Sequence, residues 1–134
     1  MQNLTLLVGR LLLSLLFILS GVEKVATYAA TTKLMVAQGI APGLLPLLIA
    51  IELGGGLAIL CGLFTRWAAA ILFIYAIVTA IVFHDHLGDP TEWIDFLQGI
   101  AIAGGFLVLA VQGGGGLSLD AWRRRRKQRQ KIFF

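Results

Sequence analysis

Residues 47–60 read LLIAIELGGGLAIL. Glu52 is the one ionisable side chain in that run, and Gly54, Gly55 and Gly56 follow it closely. A carboxylate in apolar surroundings can pair with a cation, hold a proton, or accept a hydrogen bond from a ligand. Arg10 interrupts a second apolar run, LLVGRLLLSLLFILSGV at 6–22. Along that run and just past its end, Arg10, Ser14, Phe17, Gly21 and Lys24 recur at heptad spacing, so they form one stripe of a helix. Tyr75, Thr79 and His86 form a comparable stripe further on, and Asp95, Gln98, Gly105 and Gln112 form another. Such stripes fit a bundle whose polar faces meet inside. Arg10, Lys24, Glu52, Tyr75, Thr79 and Gln98 from these runs, with His84 at the end of the Tyr75 run, are the candidate ligand residues.

The elements carrying them are set by composition. The chain has 134 residues, 58% hydrophobic and 13% charged. A soluble domain carries roughly 25% charge, so about half the usual charge is missing. Four apolar stretches, at about 4–22, 44–64, 67–83 and 96–112, approach the roughly 20 residues that cross a bilayer core as a helix. In lipid the backbone must satisfy its own hydrogen bonds, which selects helices. No ten-residue alternation of the barrel type is visible. The first stretch is too long for a signal peptide, holds Arg10, and is followed by three more. The expectation is an all-α membrane protein, a four transmembrane helix bundle over 1–120, with a basic tail at 121–134.

Segment 25–42 is neither plainly spanning nor plainly loop. Val25, Ala29, Thr32, Met35 and Val36 share a face, and Gly39 and Pro42 supply stop signals. This predicts a short interfacial helix between helices 1 and 2. A tight turn at Thr65-Arg66 makes the second and third spans antiparallel neighbours. GGGG at 113–116 ends the fourth, and Ser118 or Asp120 is placed to cap a helix leading into the tail.

The tail carries seven of the eleven basic residues. Directly after a span, such a run marks the cytoplasmic side and contacts anionic lipid rather than nucleic acid. Four spans then put both termini in the cytoplasm. The loop Asp85–Asp95 holds four acids and no Lys or Arg, and falls outside. Lys24 and Lys33 in the first outer loop fit this rule less well.

An ionised side chain at the centre of a span costs about 2.5–3.5 kcal/mol, so Arg10 and Glu52 need partners. Counting from the middle of each span at 1.5 Å per residue separates their Cα atoms by roughly 7–8 Å in height. That predicts an Arg10–Glu52 pair across the first two spans. Ala50, Gly54, Ala58 and Gly62 form a small-residue stripe for close helix approach. Gly55 and Gly56 leave room beside Glu52 for a neighbouring backbone or a small ligand. Gly21 and Gly105 are further close-packing candidates.

His84 and His86 alternate around a helix end and do not make a metal site between them, so none is expected. Cys61 is single, which excludes an intramolecular disulfide. No P-loop, nucleophile elbow or HExxH motif occurs.

In order and spacing, several pieces resemble the DoxX family of small four-helix bacterial membrane proteins. They are Arg10, then FILSGVEKVATY, ELGGGLAILCGLFTR, IVFHDH and IAIAGGFLVLAVQGGGGLSLD. Gln98-Gly99 stands where the family often has Lys-Asn, which puts any cationic role there in doubt. The resemblance implies the bacterial inner membrane and a subunit of a thiol, sulfur or oxidative-stress redox assembly. Quinone is the implied small molecule, and a redox protein the implied partner. A non-catalytic scaffold and a transporter of small solutes or protons, which would need a homo-oligomer, are the alternatives.

Overall fold

A computed structural model describes residues 1–83 and 88–132. His84 and His86 lie outside the described residues. The architecture is all-α, as expected: α1 (Gln2–Ala26), α2 (Tyr28–Ala37), a 3-10 turn (Pro42–Leu44), α3 (Leu45–Cys61), α4 (Thr65–Phe83), α5 (Pro90–Gln112) and α6 (Leu119–Ile132). Four helices are long and apolar enough to cross a membrane: α1, α3 with its 3-10 turn, α4 and α5. The short helix between the first two spans is α2.

Helix boundaries depart from the apolar runs where capping decides. α5 begins six residues before the apolar stretch. Pro90 opens it with a preset φ, and the Asp89 carboxylate accepts from Thr91 N–H at 2.9 Å. α3 stops at Cys61 because Gly62 takes the left-handed conformation, φ +70°. The turn between α3 and α4 is therefore Gly62–Phe64, and Thr65-Arg66 already belongs to α4.

α1 packs antiparallel on α3, and α5 on α4. α1 buries Arg10, Ser14, Phe17 and Gly21, four of the five residues of the heptad stripe. Glycines set the separation. A Cβ on Gly21 would sit 2.7 Å from the Leu53 side chain, and one on Gly56 only 3.3 Å from the Ile18 backbone nitrogen. Gly55 abuts Leu72, and Gly105 abuts Leu13. So Gly55 and Gly56 admit neighbouring helices, not a ligand. The stripe Ala50–Gly54–Ala58–Gly62 does not act as one: Gly54 faces open space, and Gly62 serves the turn. α3 is nearly uniformly apolar, so hydrophobicity could not say which glycines face the partner helices.

Phe17, Phe106 and Tyr75 join α1, α4 and α5 at the centre. Phe17 meets Phe106 edge-on at 5.1 Å and Tyr75 at 6.0 Å. α5 turns Ala103, Phe106 and Leu109 inward, with Gly99 against Ala80. The expected polar stripe on α5 is displaced: Gln98 and Gln112 are exposed. Small side chains let α4 and α5 approach, and that contact chose the buried face over the polar one.

At one end of the bundle α6 is fixed to the core. Ser118 Oγ accepts from Ala121 N–H and caps α6. Asp120 instead caps α4, accepting from Phe64 N–H, Thr65 N–H and the Thr65 hydroxyl at 2.9, 2.9 and 3.0 Å. Partial burial pushes the Asp120 carboxyl up. The hydrogen bonds from Thr65 and Phe64, with Arg124 nearby, outweigh it and hold the group below the ordinary carboxylate range. A lowered folded value stabilises above the unfolded one, near pH 4, and that contribution is lost as pH falls through the folded value. Unfolding midpoints in detergent should thus hold steady from pH 7 to about 5 and drop below about 4. Asp120→Asn should lower the midpoint at pH 7 and flatten that acid slope; an unchanged slope would rule Asp120 out as its source.

Candidate functional site

Glu52 lies in the middle of α3, 3% exposed. Its partner is not Arg10. Lys24, near the end of α1, reaches back along its own helix to place Nζ 3.0 Å from Glu52 Oε1. Ser20, one turn earlier on α1, accepts from the same ammonium at 2.7 Å. The Tyr75 hydroxyl, from α4, donates to Glu52 Oε1 at 2.5 Å. Three helices thus converge on one carboxylate oxygen. The other oxygen, Oε2, is buried and has no hydrogen-bond partner among the described residues. A buried acceptor left unmade costs roughly 1–3 kcal/mol, more when charged.

These groups line a cavity of about 340 Å³. That is the size range of small-molecule sites, roughly 300–1,000 Å³. Its walls are mostly apolar, from Leu16, Phe17, Leu48, Ala76, Ala80, Phe83 and Ile102. Thr79 lines it too, with its hydroxyl turned back to the Tyr75 and Ala76 carbonyls. α2 closes one side through Thr31, Leu34 and Met35, and Met35 is fully buried. The face expected of that segment is corrected here. Val25, Ala29 and Val36 are exposed, because the chain leaves α1 at Thr27 (φ −109°, ψ 33°) and the face rotates.

Arg10 sits at the opposite end of α1 from Lys24, 1% exposed. Its guanidinium donates four hydrogen bonds to carbonyls: Nε to Ile59, Nη2 to Leu60, and Nη1 to Gly114 and Leu117. Ile59 and Leu60 belong to the last turn of α3, where carbonyls run out of helical i+4 donors; Ile59 also accepts from the Gly62 N–H at 3.1 Å. Gly114 and Leu117 belong to the loop between α5 and α6. Cations also suit the negative end of the helix dipole. The expected Arg10–Glu52 pair is therefore replaced by two separate arrangements. Ile59 lies seven residues beyond Glu52, about 10 Å along the helix at 1.5 Å per residue, too far for Arg10 to serve both.

Glycine makes room for this junction. A Cβ on Gly62 would fall 2.6 Å from Arg10 Nη2. Gly113 and Gly115 hold φ of +76° and +72°, open to few other residues. Gly116 N–H donates to Asn3 Oδ1 at 2.9 Å, which ties the loop to the start of α1.

Of the candidates named from sequence, Lys24, Glu52, Tyr75 and Thr79 come together in one cavity. Arg10 belongs to the junction, and Gln98 is exposed and does not line the cavity. His84 lies outside the described residues. Ser20 and Met35 were not foreseen. Ser20, four residues before Lys24, is the one with a sequence signal. Among the described residues no cluster of three or more His, Cys, Asp or Glu could hold a metal ion.

A sequence model of the DoxX family matches residues 5–85, more than half of the chain. The chain is 39% identical over 120 residues to "Inner membrane protein YqjF" of Escherichia coli (strain K12), with 90% of this chain and 92% of the relative covered. It is 34% identical over 122 residues to "Inner membrane protein YphA" of the same organism, covering 86% and 87%. No solved structure matches it. Family match and relatives agree with the four apolar helices: the chain is an inner membrane protein and belongs to the DoxX family.

Proposed function

We propose that the protein is a quinone-associated membrane subunit of a thiol- or sulfur-linked redox assembly, and that the Glu52 cavity binds the quinone head. The observation that carries this is Glu52 Oε2, a buried acceptor without a partner in a mostly apolar cavity. A quinol hydroxyl would donate to it. The Lys24 ammonium has three donors, and Ser20 and Glu52 take two. The third is free for a quinone carbonyl beside that carboxylate. The site thus offers one acceptor and one donor to a ring whose oxygens change from acceptor to donor on reduction. Bound quinone supplies two-electron, two-proton chemistry, and the electrons are exchanged with a partner redox protein. Glu52 and Lys24 hold the ring oxygens, Tyr75 orients the Glu52 carboxylate, and α2 keeps water from that face.

In this proposal both termini are cytoplasmic. The start of α1, Arg66 and the basic α6 share one end of the bundle, the end that the positive-inside rule assigns to the cytoplasm. Lys24 no longer argues against this orientation, because its charge is spent on Glu52 inside the bundle.

The test is a titration of the purified full chain with a short-chain quinone analogue, followed by tyrosine and tryptophan fluorescence. Wild type should bind. Glu52→Gln keeps the shape and removes the charge; it should weaken binding roughly tenfold or more, the size of a lost hydrogen bond to a charged group. Saturable binding of equal strength in both would refute the assignment to Glu52. No binding in wild type would leave a scaffold, a reading favoured by the way Lys24 and Ser20 tie α1 to α3 through Glu52.

A further inference from the structure

At the end of the bundle remote from Glu52, a second concavity of about 280 Å³ is lined by Phe64, Asp120, Arg123, Arg124 and Lys127. The four α6 residues fall at i, i+3, i+4 and i+7, one face of the helix. This face does not wave free. The Asp120 carboxylate is held by Phe64 and Thr65, and its own N–H donates to Gly62 at 3.0 Å. The guanidinium of Arg123 lies over the Phe64 ring, 5.4 Å from its centroid. Phe64 itself has φ 47°, in the left-handed region, so its ring is presented by an unusual backbone fixed between two anchored helices.

Two facts say what such a concavity would take. Its charge is positive: three cations face one carboxylate whose oxygens already cap α4. Asp120 interacts electrostatically with Arg124, and the three cations outnumber it. Phe64 lines the concavity, and Trp67 and Trp122 are close to its lining residues in sequence. Phe64, Trp67 and Trp122 are 58%, 74% and 55% exposed, at the ends of membrane-spanning helices or just beyond. Exposed aromatic rings at span ends belong to the headgroup layer. Cations held at that depth meet lipid phosphates.

We propose that α6 and the Gly62–Phe64 turn form a defined binding site for the phosphate headgroup of an anionic phospholipid. Arg124 and Lys127 contact the phosphate, Arg123 is oriented by Phe64, and the acyl chains run down the exposed apolar surface between Phe64 and Trp67. This goes beyond attraction of a basic tail to a charged surface, because it assigns unequal roles to cations of equal charge.

The test is native mass spectrometry of the full chain in detergent, titrated with phosphatidylglycerol or with phosphatidylcholine. Wild type should retain phosphatidylglycerol in preference to phosphatidylcholine. The pair Arg124→Gln and Lys127→Gln should weaken phosphatidylglycerol retention by roughly 30-fold, at about one kcal/mol per lost cation. The pair Arg125→Gln and Arg129→Gln removes the same charge from residues that do not line the site, and should weaken it less than about threefold. Circular dichroism must show equal helix content in both pairs. Equal losses in the two pairs would reduce the site to diffuse electrostatics and overturn the proposal. So would a wild type that does not prefer phosphatidylglycerol.

Discussion

Arg10→Leu is expected to destabilise the bundle strongly. The substitution keeps an apolar side chain and deletes four hydrogen bonds at once. Two of their acceptors, the Ile59 and Gly114 carbonyls, are in buried hydrogen bonds. The other two, at Leu60 and Leu117, are in partly buried ones and can turn to water. Orphaning the Gly114 carbonyl costs roughly 1–3 kcal/mol, while the Ile59 carbonyl keeps the Gly62 N–H as a donor and loses only its second hydrogen bond, worth about 1.5–3 kcal/mol from a charged donor. Domains are stable by only about 5–15 kcal/mol. The damage should also spread. Arg10 holds α1, the end of α3 and the glycine loop together, and that loop leads to α6 and to the cap on α4. Arg10→Lys should recover less than half of the loss, since one compact ammonium with three donors cannot span four carbonyls fixed around a planar fork. The measurement is the unfolding midpoint on titration with denaturing detergent. An Arg10→Leu variant with the wild-type midpoint would show that water replaces the guanidinium, and that the junction is held by packing alone.

The junction also shows what a single sequence leaves hidden. The α1 stripe was legible because heptad spacing is a local property, and the structure buries Arg10, Ser14, Phe17 and Gly21 along it. Glu52 was legible as the one carboxylate in an apolar run. The pairing of Arg10 with Glu52 was not. It depended on the vertical register between α1 and α3, which is fixed by where α3 ends. That end is set by the left-handed Gly62 and by the carbonyls the last turn leaves open, not by the length of the apolar run. Both cations of the stripe, Arg10 and Lys24, are evident in the sequence. The one that reaches Glu52 is Lys24, whose long stem can lie along an apolar surface while its head seeks a polar partner. Gln98 misled for a different reason. Polar residues were counted as the inner face of α5, yet in lipid the inner face follows the small residues that let helices close, here Gly99 and Ala103. The cavity was legible only as polar candidates on several helices. Its enclosure by α2 needs the bend at Thr27, which nothing in the local pattern announces.

Lys24→Met should destabilise the protein strongly, and Glu52→Gln added to it should restore most of the loss. Removing one partner of a buried ion pair leaves an uncompensated charge, which costs about 3–5 kcal/mol. Lys24 is about one-quarter exposed while Glu52 is almost fully buried, so the stranded charge in Lys24→Met is the carboxylate in the cavity. Lys24→Met should therefore be worse than Glu52→Gln, in which the stranded ammonium can swing toward water. Neutralising Glu52 as well removes the stranded charge, and the glutamine side chain still offers an acceptor to Tyr75. The double variant should sit within about 1–2 kcal/mol of wild type, so the cycle should show a coupling of roughly 1–4 kcal/mol plus whatever Glu52→Gln costs alone. Midpoints of the four proteins in one detergent give that number, and strict additivity would mean the pair makes no energetic contact. The stable double variant also separates structure from chemistry. If the pair only specifies which helices pack, the double variant behaves as wild type in the quinone titration. If Glu52 and Lys24 bind the ring, it is folded and does not bind.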